Sequence, residues 1–338
     1  MVQISVVIPV YNRARFIGAA IDSILAQTVR DLELILVDDG STDGSQQIIE
    51  GYADPRLRLI KNPDNQGIAA SRNRGIEAAN GRYLAFLDSD DRALPTRLQK
   101  QIAFLDAHPD HAAVGSWIRW IDADGQSRGK TKRKAADPDQ IAAERLFRSS
   151  IENSTATART EILQAYPHRE DFRLGSDYEL WARINNDYRL AALREVLVER
   201  RRHDAQSSDE HWPEAKQWRL AVFAAQLERL GVAYTPEDLE RHYTLRRMHK
   251  EDFAPDHAFL DWAETWFERL RQENTCRAMY PEPAFSRVLG LFWIKSCWFA
   301  RQRIGRGRAL ARCMTSPLRS TIAPGLRAEL QTRLRPGA

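Results

Sequence analysis

The run Leu32-Glu-Leu-Ile-Leu-Val-Asp-Asp-Gly-Ser-Thr-Asp43 carries an apolar segment straight into an acid-rich turn. A short apolar run bounded by Asp and Gly reads as a buried strand. Two further segments share the form: Ile4-Ser-Val-Val-Ile-Pro-Val10 ends in Tyr11-Asn12, and Arg82-Tyr-Leu-Ala-Phe-Leu87 ends in Asp88-Ser-Asp-Asp91. Between them, Phe16, Ile17, Ala20, Ile21, Ile24 and Leu25 recur at helical spacing, and Ser41 or Thr42 is placed to cap a second helix through Ile48 and Ile49. Leu57–Ile60 reads as another strand, and a third helix is expected from about Ile68 to Ala79. Strands alternating with helices at this spacing predict a parallel sheet with right-handed crossovers. Ligands of such sheets bind at the carboxyl ends of the strands. Pro9–Asn12, Asp38–Asp43 and Asp88–Asp91 are therefore expected to converge on one crevice.

Farther along, the pattern predicts a helix over Arg97–Ala107, a strand over Val114–Ile121 and a basic loop at Lys130–Lys134. A short strand at Ser154–Ala158, a helix entered near Ser176-Asp177 and a last strand at Leu190–Arg200 follow. Beyond His211 the periodicity is helical: Trp212–Leu230, Pro236–Met248, Pro255–Gln272 and Ser286–Arg312. The expected organisation is a sheet domain over residues 1–208, its nucleotide-binding half about 1–110 and its acceptor half about 111–208, and a helical region over 209–338. A chain of 338 residues buries enough surface to need no disulfide or metal staple. Apolar content of 43% argues against disorder. Cys276, Cys297 and Cys313 form no zinc spacing and no disulfide framework, which fits a reducing cytosol. The start Met1-Val2-Gln3-Ile4 runs into a strand with no charged leader, and Val288–Ala300 falls short of the roughly 20 residues a bilayer requires. A cytoplasmic protein is expected.

Charge is unevenly distributed. The net charge is +4, yet residues 283–338 hold eleven bases and one acid, a net +10, which leaves −6 for the remainder. In the apolar-then-basic stretch, Phe292, Trp293, Trp298 and Phe299 precede Arg301, Arg303, Arg306, Arg308 and Arg312. This composition fits a peripheral anchor to an anionic membrane surface, on the inner face in a cytoplasmic protein. It equally fits aromatics packed on the sheet domain beneath a solvated basic face. Nucleic acid is disfavoured, because the aromatics form one block and do not interleave with the bases.

Three groups of polar residues bear chemistry. Asp88 and Asp90, two apart on an extended segment, point the same way and can share a divalent cation. Hard oxygen ligands in small number suit Mg²⁺ or Mn²⁺ held jointly with substrate phosphates; a solvated acidic turn has the same letters. Asp38 and Asp39 end an apolar strand and exceed what a cap needs, so Asp39 is a candidate acceptor for the imide N–H of a pyrimidine, with Tyr11 placed to stack on the base. Arg72, Asn73 and Arg74 lie in the first turns of a helix, where free N–H groups and a guanidinium suit a diphosphate. A charged surface face reads the same.

Ser5-Val-Val-Ile-Pro-Val-Tyr-Asn12, Val37-Asp-Asp-Gly-Ser-Thr-Asp43, Asn65-Gln-Gly67 with Ala70-Ser-Arg-Asn73, and Phe86-Leu-Asp-Ser-Asp-Asp91 occur in that order. Together they resemble the family 2 glycosyltransferases of bacterial surface-glycan type, across about residues 3–208. The resemblance implies a GT-A fold, α/β and Rossmann-like, with a mostly parallel central sheet flanked by helices and here a C-terminal α-helical region. It implies an inverting enzyme in which a base deprotonates an acceptor hydroxyl that displaces a nucleoside diphosphate. Pro9, Tyr11 and Asp39 would line the nucleoside site with Asp38 beside them. Arg72 would contact the diphosphate, Asp88 the ribose, and Asp90 a Mn²⁺ or Mg²⁺ ion. In Gly175-Ser-Asp-Tyr-Glu-Leu-Trp181, Asp177 fits the position of the base, with Ser176 where the family usually has Glu. Arg201-Arg-His203 and Ser207-Ser208 match a segment that suggests His203 on the metal or diphosphate. Asn153 and Trp181 match the acceptor side. Asp177 as a plain N-cap and His203 as a loop residue are the alternative readings. The Gln-x-x-Arg-Trp signature of processive members is absent, which favours transfer of one sugar. The expected partners are a nucleoside-diphosphate-sugar donor, UDP-sugar first, and a glycan or lipid-linked acceptor of surface polysaccharide or lipopolysaccharide synthesis. A nucleotidyltransferase would want a Gly-rich loop after the first strand, a dehydrogenase a G-x-G-x-x-G, and a non-catalytic nucleotide-sugar module would lack Asp90 or Asp177.

Overall fold

The computed structural model describes residues 2–149, 151–203, 212–248 and 253–321. The chain divides into two compact units. The first comprises residues 1–136 and 151–215, and the second residues 137–150 with 216–336. The expected boundary at 208 lies outside the described residues. The excursion 137–150 joins the helical unit although the sequence flanks it with strands on both sides.

The first unit runs β1 (Ile4–Val10), α1 (Ile17–Leu25), β2 (Leu32–Asp38), α2 (Ser45–Glu50), β3 (Leu57–Lys61), α3 (Ile68–Ala78), β4 (Tyr83–Phe86), β5 (Arg92–Ala93) and α4 (Arg97–Ala107). It continues with β6 (His111–Ile121), β7 (Ser127–Lys132), a 3₁₀ turn (Asn153–Thr155), β8 (Thr157–Arg159), α6 (Thr160–Ala165), α7 (Ser176–Ile184) and β9 (Arg189–Arg201); α5 (Pro138–Glu144) belongs to the second unit. The nine-stranded sheet has the order β3-β2-β1-β4-β8-β6-β9-β5, with β7 on β6. β3, β2, β1 and β4 are mutually parallel, as the sequence predicts. β8 then pairs antiparallel with both β4 and β6, so the sheet beyond β4 is mixed.

Alternation along β1 explains the layering. Ile4, Val6, Ile8 and Val10 pack with Ile17, Ile21 and Ile24 of α1 and with Leu98, Ile102 and Leu105 of α4 in one core. Each such side chain, fully buried, is worth about 1.5–3 kcal/mol. Val7 points to the other face, where α3 approaches so closely that a Cβ on Gly75 would lie 2.3 Å from Val7 Cγ1.

Three local expectations are corrected. Neither Ser41 nor Thr42 caps α2, whose first turn follows Gly44 at φ +89°. Instead Ser41 Oγ accepts the Asn12 N–H at 3.0 Å and Asn12 Oδ1 accepts the Thr42 N–H at 2.8 Å, which ties the β2 turn to the end of β1. The basic loop at Lys130–Lys134 is largely strand β7, polar on both sides because it is an edge. The last helix is two, because Gly305 at φ +87° separates α11 (Ala284–Ile304) from α12 (Arg306–Thr315).

The second unit holds α5 together with α8 (Trp212–Leu230), α9 (Pro236–Arg247), α10 (His257–Arg277), α11 and α12. Its core gathers Phe147, Leu227, Trp266, Phe267, Phe285, Phe292 and Trp293. Phe292 and Trp293 are thus buried in the helical unit's own core. Trp298 is 60% exposed. No helix among the described residues is long and apolar enough to cross a membrane.

Candidate active site

The carboxyl ends of β1, β2 and β4, the start of α3 and the start of α7 enclose a cavity of about 370 Å³. Pro9, Tyr11, Asp39, Arg72, Asp88, Asp90 and Asp177 all line it. The convergence expected from three strand ends is therefore observed, and Asp177 joins it from a helix that starts far downstream.

Tyr11 lines the cavity and is 44% exposed. Asp39 is buried and accepts three hydrogen bonds: Asn62 Nδ2 at 2.6 Å and the Gln66 N–H at 2.9 Å on Oδ1, and the Gly67 N–H at 2.9 Å on Oδ2. A carboxylate has about four acceptor positions, so one remains for a ligand N–H. The same three bonds fix the loop that launches α3, a role no sequence signal shows. Asp38 does not line the cavity. Its side chain is buried with Oδ2 on the Ser41 N–H at 3.3 Å, so it holds the turn.

Only Arg72 of the Arg72-Asn73-Arg74 group faces the cavity, where Nη2 meets Asp88 Oδ1 at 3.1 Å. Asn73, on a different face of α3, donates Nδ2 to the His168 carbonyl at 2.9 Å and accepts the His168 N–H on Oδ1 at 2.8 Å. Arg74 turns back to the Lys61 carbonyl at 3.2 Å.

After β4 the chain is not extended. The Asp91 N–H reaches the Asp88 carbonyl at 3.0 Å, closing a tight turn. Asp88 and Asp90 thus reach one cavity through a turn, which corrects the expected alternation along a strand. Asp90 Oδ2 sits 2.9 Å from His203 Nε2, and the His203 ring lies 4.6 Å from that of Phe16. Ser207-Ser208 lie outside the described residues. Asp91 faces inward and its Oδ1 accepts the Arg201 N–H at 3.0 Å.

Beneath this turn Arg97 is fully buried, donating Nη2 to the Phe86 carbonyl at 2.8 Å and Nε to Gln101 Oε1 at 3.0 Å. Burial pulls its guanidinium down to about 9 against the opposing pull of Asp91 and Asp88. Burial pushes the Asp88 carboxyl up; Arg72 and Arg200 oppose that shift, and the Asp90 and Asp177 charges reinforce it. Burial acts likewise on Asp90, but the His203 hydrogen bond and the charges of Arg13 and Arg200 outweigh it and hold it below the ordinary range. Asp91 is raised well above that range by burial and by its two acidic neighbours.

Elsewhere in the lining, Gly175 at φ +76° precedes α7, and Ser176 and Asp177 occupy its first turn. Asp177 is therefore not the N-cap. Its Oδ1 accepts the Tyr178 N–H at 2.9 Å and the residue lines the cavity. Asn153 and Trp181, expected on the acceptor side, do not line it. Trp181 is one turn deeper, buried with its ring edge toward Phe86 at 6.5 Å, and Asn153 is buried in the 3₁₀ turn. Sequence reasoning missed Arg173 and Arg200, which do line the cavity. Arg200 directly precedes the Arg201-Arg-His203 segment, the one signal that points to it.

An ionised Asp90 beside an imidazole, with Asp88 in the same cavity, is a donor set that suits a hard or borderline divalent ion whose remaining ligands are substrate phosphates. Among the described residues no group of three or more His, Cys, Asp or Glu is set to hold an ion by protein alone. The residues fit a shared ion.

A strand-end cavity that pairs a buried carboxylate with an arginine and an acidic turn fits a nucleotide-sugar-binding transferase. The sequence model of glycosyl transferase family 2 matches residues 5–164. The putative glycosyltransferase EpsE of Bacillus subtilis is 34% identical over 200 residues, 58% of this chain and 71% of its own. The chain belongs to glycosyl transferase family 2. In fold it resembles S. aureus TarS 1–349, solved in complex with UDP-GlcNAc (TM-score 0.55, 17% identity, 98% of this chain and 93% of that one). It also resembles the mannosyltransferase PcManGT from Pyrobaculum calidifontis, solved with GDP-Man and Mn²⁺ (TM-score 0.54, 17% identity, 96% and 87%). The protein is a glycosyltransferase of GT-A-like fold.

Proposed function

We propose that this enzyme transfers a single sugar, with inversion, from a uridine-diphosphate-linked donor to a hydroxyl of a glycan or lipid-linked acceptor in surface-glycan synthesis. One observation carries the reading. Asp177 lines the same cavity as Asp39, Arg72, Asp88 and Asp90, which supports a carboxylate base beside residues suited to a nucleoside diphosphate.

In this reading Asp39 and Tyr11 hold the base, Asp88 the ribose, and Arg72 the diphosphate. The Asp177 carboxylate takes the proton of the acceptor hydroxyl as that oxygen bonds to the anomeric carbon. The bond from that carbon to the diphosphate oxygen breaks, its electron pair leaves with the nucleoside diphosphate, and Arg72, a fixed positive group, offsets the charge that develops on it. Asp90 and His203 would hold a divalent ion, Mn²⁺ or Mg²⁺, which supplies further neutralisation of the diphosphate. The Mn²⁺ found with the mannosyltransferase of like fold is consistent with that assignment.

Asp177→Asn tests the role of the base. It should lower kcat by about a thousandfold and leave UDP binding within about twofold of wild type, measured by product formation and calorimetry. Transfer at the wild-type rate would refute it.

The helical unit is proposed to rest on an anionic membrane surface. Trp298, Leu310 and Met314 are exposed, Arg301 stacks 3.8 Å over Trp298, and Arg303, Arg306 and Arg308 are exposed on the same two helices. Trp298→Ser with Leu310→Ser should weaken sedimentation with phosphatidylglycerol-containing vesicles by about tenfold, while phosphatidylcholine vesicles bind neither protein. Equal sedimentation of both proteins would refute the surface.

A further inference from the structure

Two adjacent arginines close β9, and the fold gives them different work. Successive side chains of a strand point to opposite faces. Arg201, which opens the Arg-x-His segment, is tied to backbone: Nε donates to the Asp90 carbonyl at 2.9 Å, and Nη1 to the Asp122 and Ala123 carbonyls at 3.1 and 2.8 Å. Arg200 instead lines the cavity with Arg72, Asp88, Asp90 and Asp177. The reaction proposed above leaves it without a part.

Arg200 is held in a defined direction. Its Nη1 donates to Glu152 Oε2 at 2.7 Å, and its guanidinium carbon lies over the Trp120 ring, 5.4 Å from the centre. Glu152 is half-buried and also meets Lys132 Nζ at 2.5 Å and Lys134 Nζ at 2.7 Å. Burial would raise its carboxyl, but Lys134, Lys132 and Arg200 hold it well below the ordinary range, so the anchor is ionised. Burial would likewise pull Arg200 down, and the charges of Glu152, Asp91, Asp88 and Asp90 outweigh it and keep the guanidinium protonated. The three aspartates act at a distance. Among the described residues the side chain's one hydrogen bond is to Glu152, so a planar group with five N–H donors is pinned at one nitrogen and has donors left.

Its neighbours in the wall are more fully engaged. Arg72 is 5% exposed and meets Asp88 Oδ1 at 3.1 Å, and Arg13 Nη1 donates to the Tyr11 and Asn12 carbonyls at 3.2 and 2.8 Å. The Arg200 charge bears on Asp88, Asp90 and Asp91 alike, which puts it at the acidic turn.

We propose that Arg200 is a further substrate-contacting residue, whose remaining N–H groups bind oxygens of the donor's diphosphate alongside Arg72, with Glu152 as its positioning residue. When the bond from the anomeric carbon to the diphosphate oxygen breaks, the electron pair stays with that oxygen. Arg200 offsets the new charge through hydrogen bonds and transfers no proton. This deepens the transferase reading above and rests on it.

The test is equilibrium binding of UDP, UMP and uridine to the full chain at saturating Mn²⁺, by calorimetry and, for uridine, by ligand-observed NMR. Arg200→Gln should weaken UDP by about tenfold and leave uridine within about twofold. Glu152 keeps Lys132 and Lys134 in that variant, so its charge is not stranded. Arg200→Lys keeps a cation beside Glu152 but loses the fork, and should weaken UDP by about threefold; it decides the matter if circular dichroism shows the glutamine variant unfolded. UMP weakened as much as UDP assigns the contact to the first phosphate, and UMP unchanged assigns it to the second; either supports the proposal. Glu152→Gln should also weaken UDP and spare uridine, and adding it to Arg200→Gln should cost UDP affinity nothing more than about twofold. Additive losses would remove Glu152 from the positioning role. UDP affinity within about twofold of wild type in the folded variants, or a loss for uridine equal to that for UDP, overturns the assignment of Arg200. Failure of the wild-type chain to bind UDP would count against the transferase reading instead.

Discussion

Asn73 gives the sharpest test of how the cavity is held. It is buried, and its side chain accepts the His168 N–H at 2.8 Å while donating to the His168 carbonyl at 2.9 Å and to Glu170 Oε1 at 3.0 Å. Both backbone groups of residue 168 thus depend on one side chain, just ahead of the segment that carries Arg173 and Asp177. Asn73→Ala strips both. A buried group left unpaired costs about 1–3 kcal/mol, so the limit with the segment unmoved is about 2–6 kcal/mol. If the segment shifts to hydrate itself, stability recovers and Asp177 loses its position. Urea unfolding should show a loss of about 2–4 kcal/mol, and kcat should fall at least about tenfold, with UDP affinity changed less than about threefold. Asn73→Asp keeps the acceptor but sets a carboxylate oxygen against the His168 carbonyl and Glu170 Oε1, so its loss should be at least as large. An alanine variant within about 0.5 kcal/mol of wild type and with unchanged turnover would refute the reasoning.

In the helical unit, His242 is fully buried, with Nε2 on the Leu146 carbonyl at 2.9 Å and Nδ1 accepting the Trp266 indole N–H at 3.0 Å. Burial lowers its pKa from 6.5 to about 4. The folded form therefore binds fewer protons than the unfolded chain between those values, and stability present above pH 6.5 is lost as pH falls toward 4. The loss amounts to about 3 kcal/mol; a His242→Phe variant should show a flatter pH profile in calorimetry, and an identical slope would count against it. Gly81→Ala should cost about 1–3 kcal/mol, seen as a lower Tm, because its Cβ would fall 2.5 Å from the Ser5 nitrogen and 2.7 Å from the Ile4 carbonyl carbon.

The parallel half of the sheet and the site at its strand ends were legible because each apolar run stops at an acid or an aromatic. Local sequence carries that signal. The meeting of Glu152 with Lys132 and Arg200, each at 2.5–2.7 Å, was not legible, since pairing of β7 and β9 with β6 brings these distant residues together. β7 hid as a loop because an edge strand with both faces wet shows no alternation. Asp38 looked like a ligand residue because a strand-end carboxylate has the same letters whether it turns outward or inward. Periodicity ran through Gly305 unbroken, and only its backbone conformation ends the helix.

Arg97 has a consequence for anyone redesigning donor choice. The acidic turn is seated on a cation that no solvent reaches, fastened to the Phe86 carbonyl and to Gln101. Replacing Asp88 or Asp91 by neutral residues would strand that cation, so libraries confined to the visible pocket would fail for a reason located in the interior. Pairing each such change with an apolar residue at position 97 converts a local edit into a joint one. The range of donors this scaffold can be taught to accept is thus governed from underneath the pocket as much as from its walls.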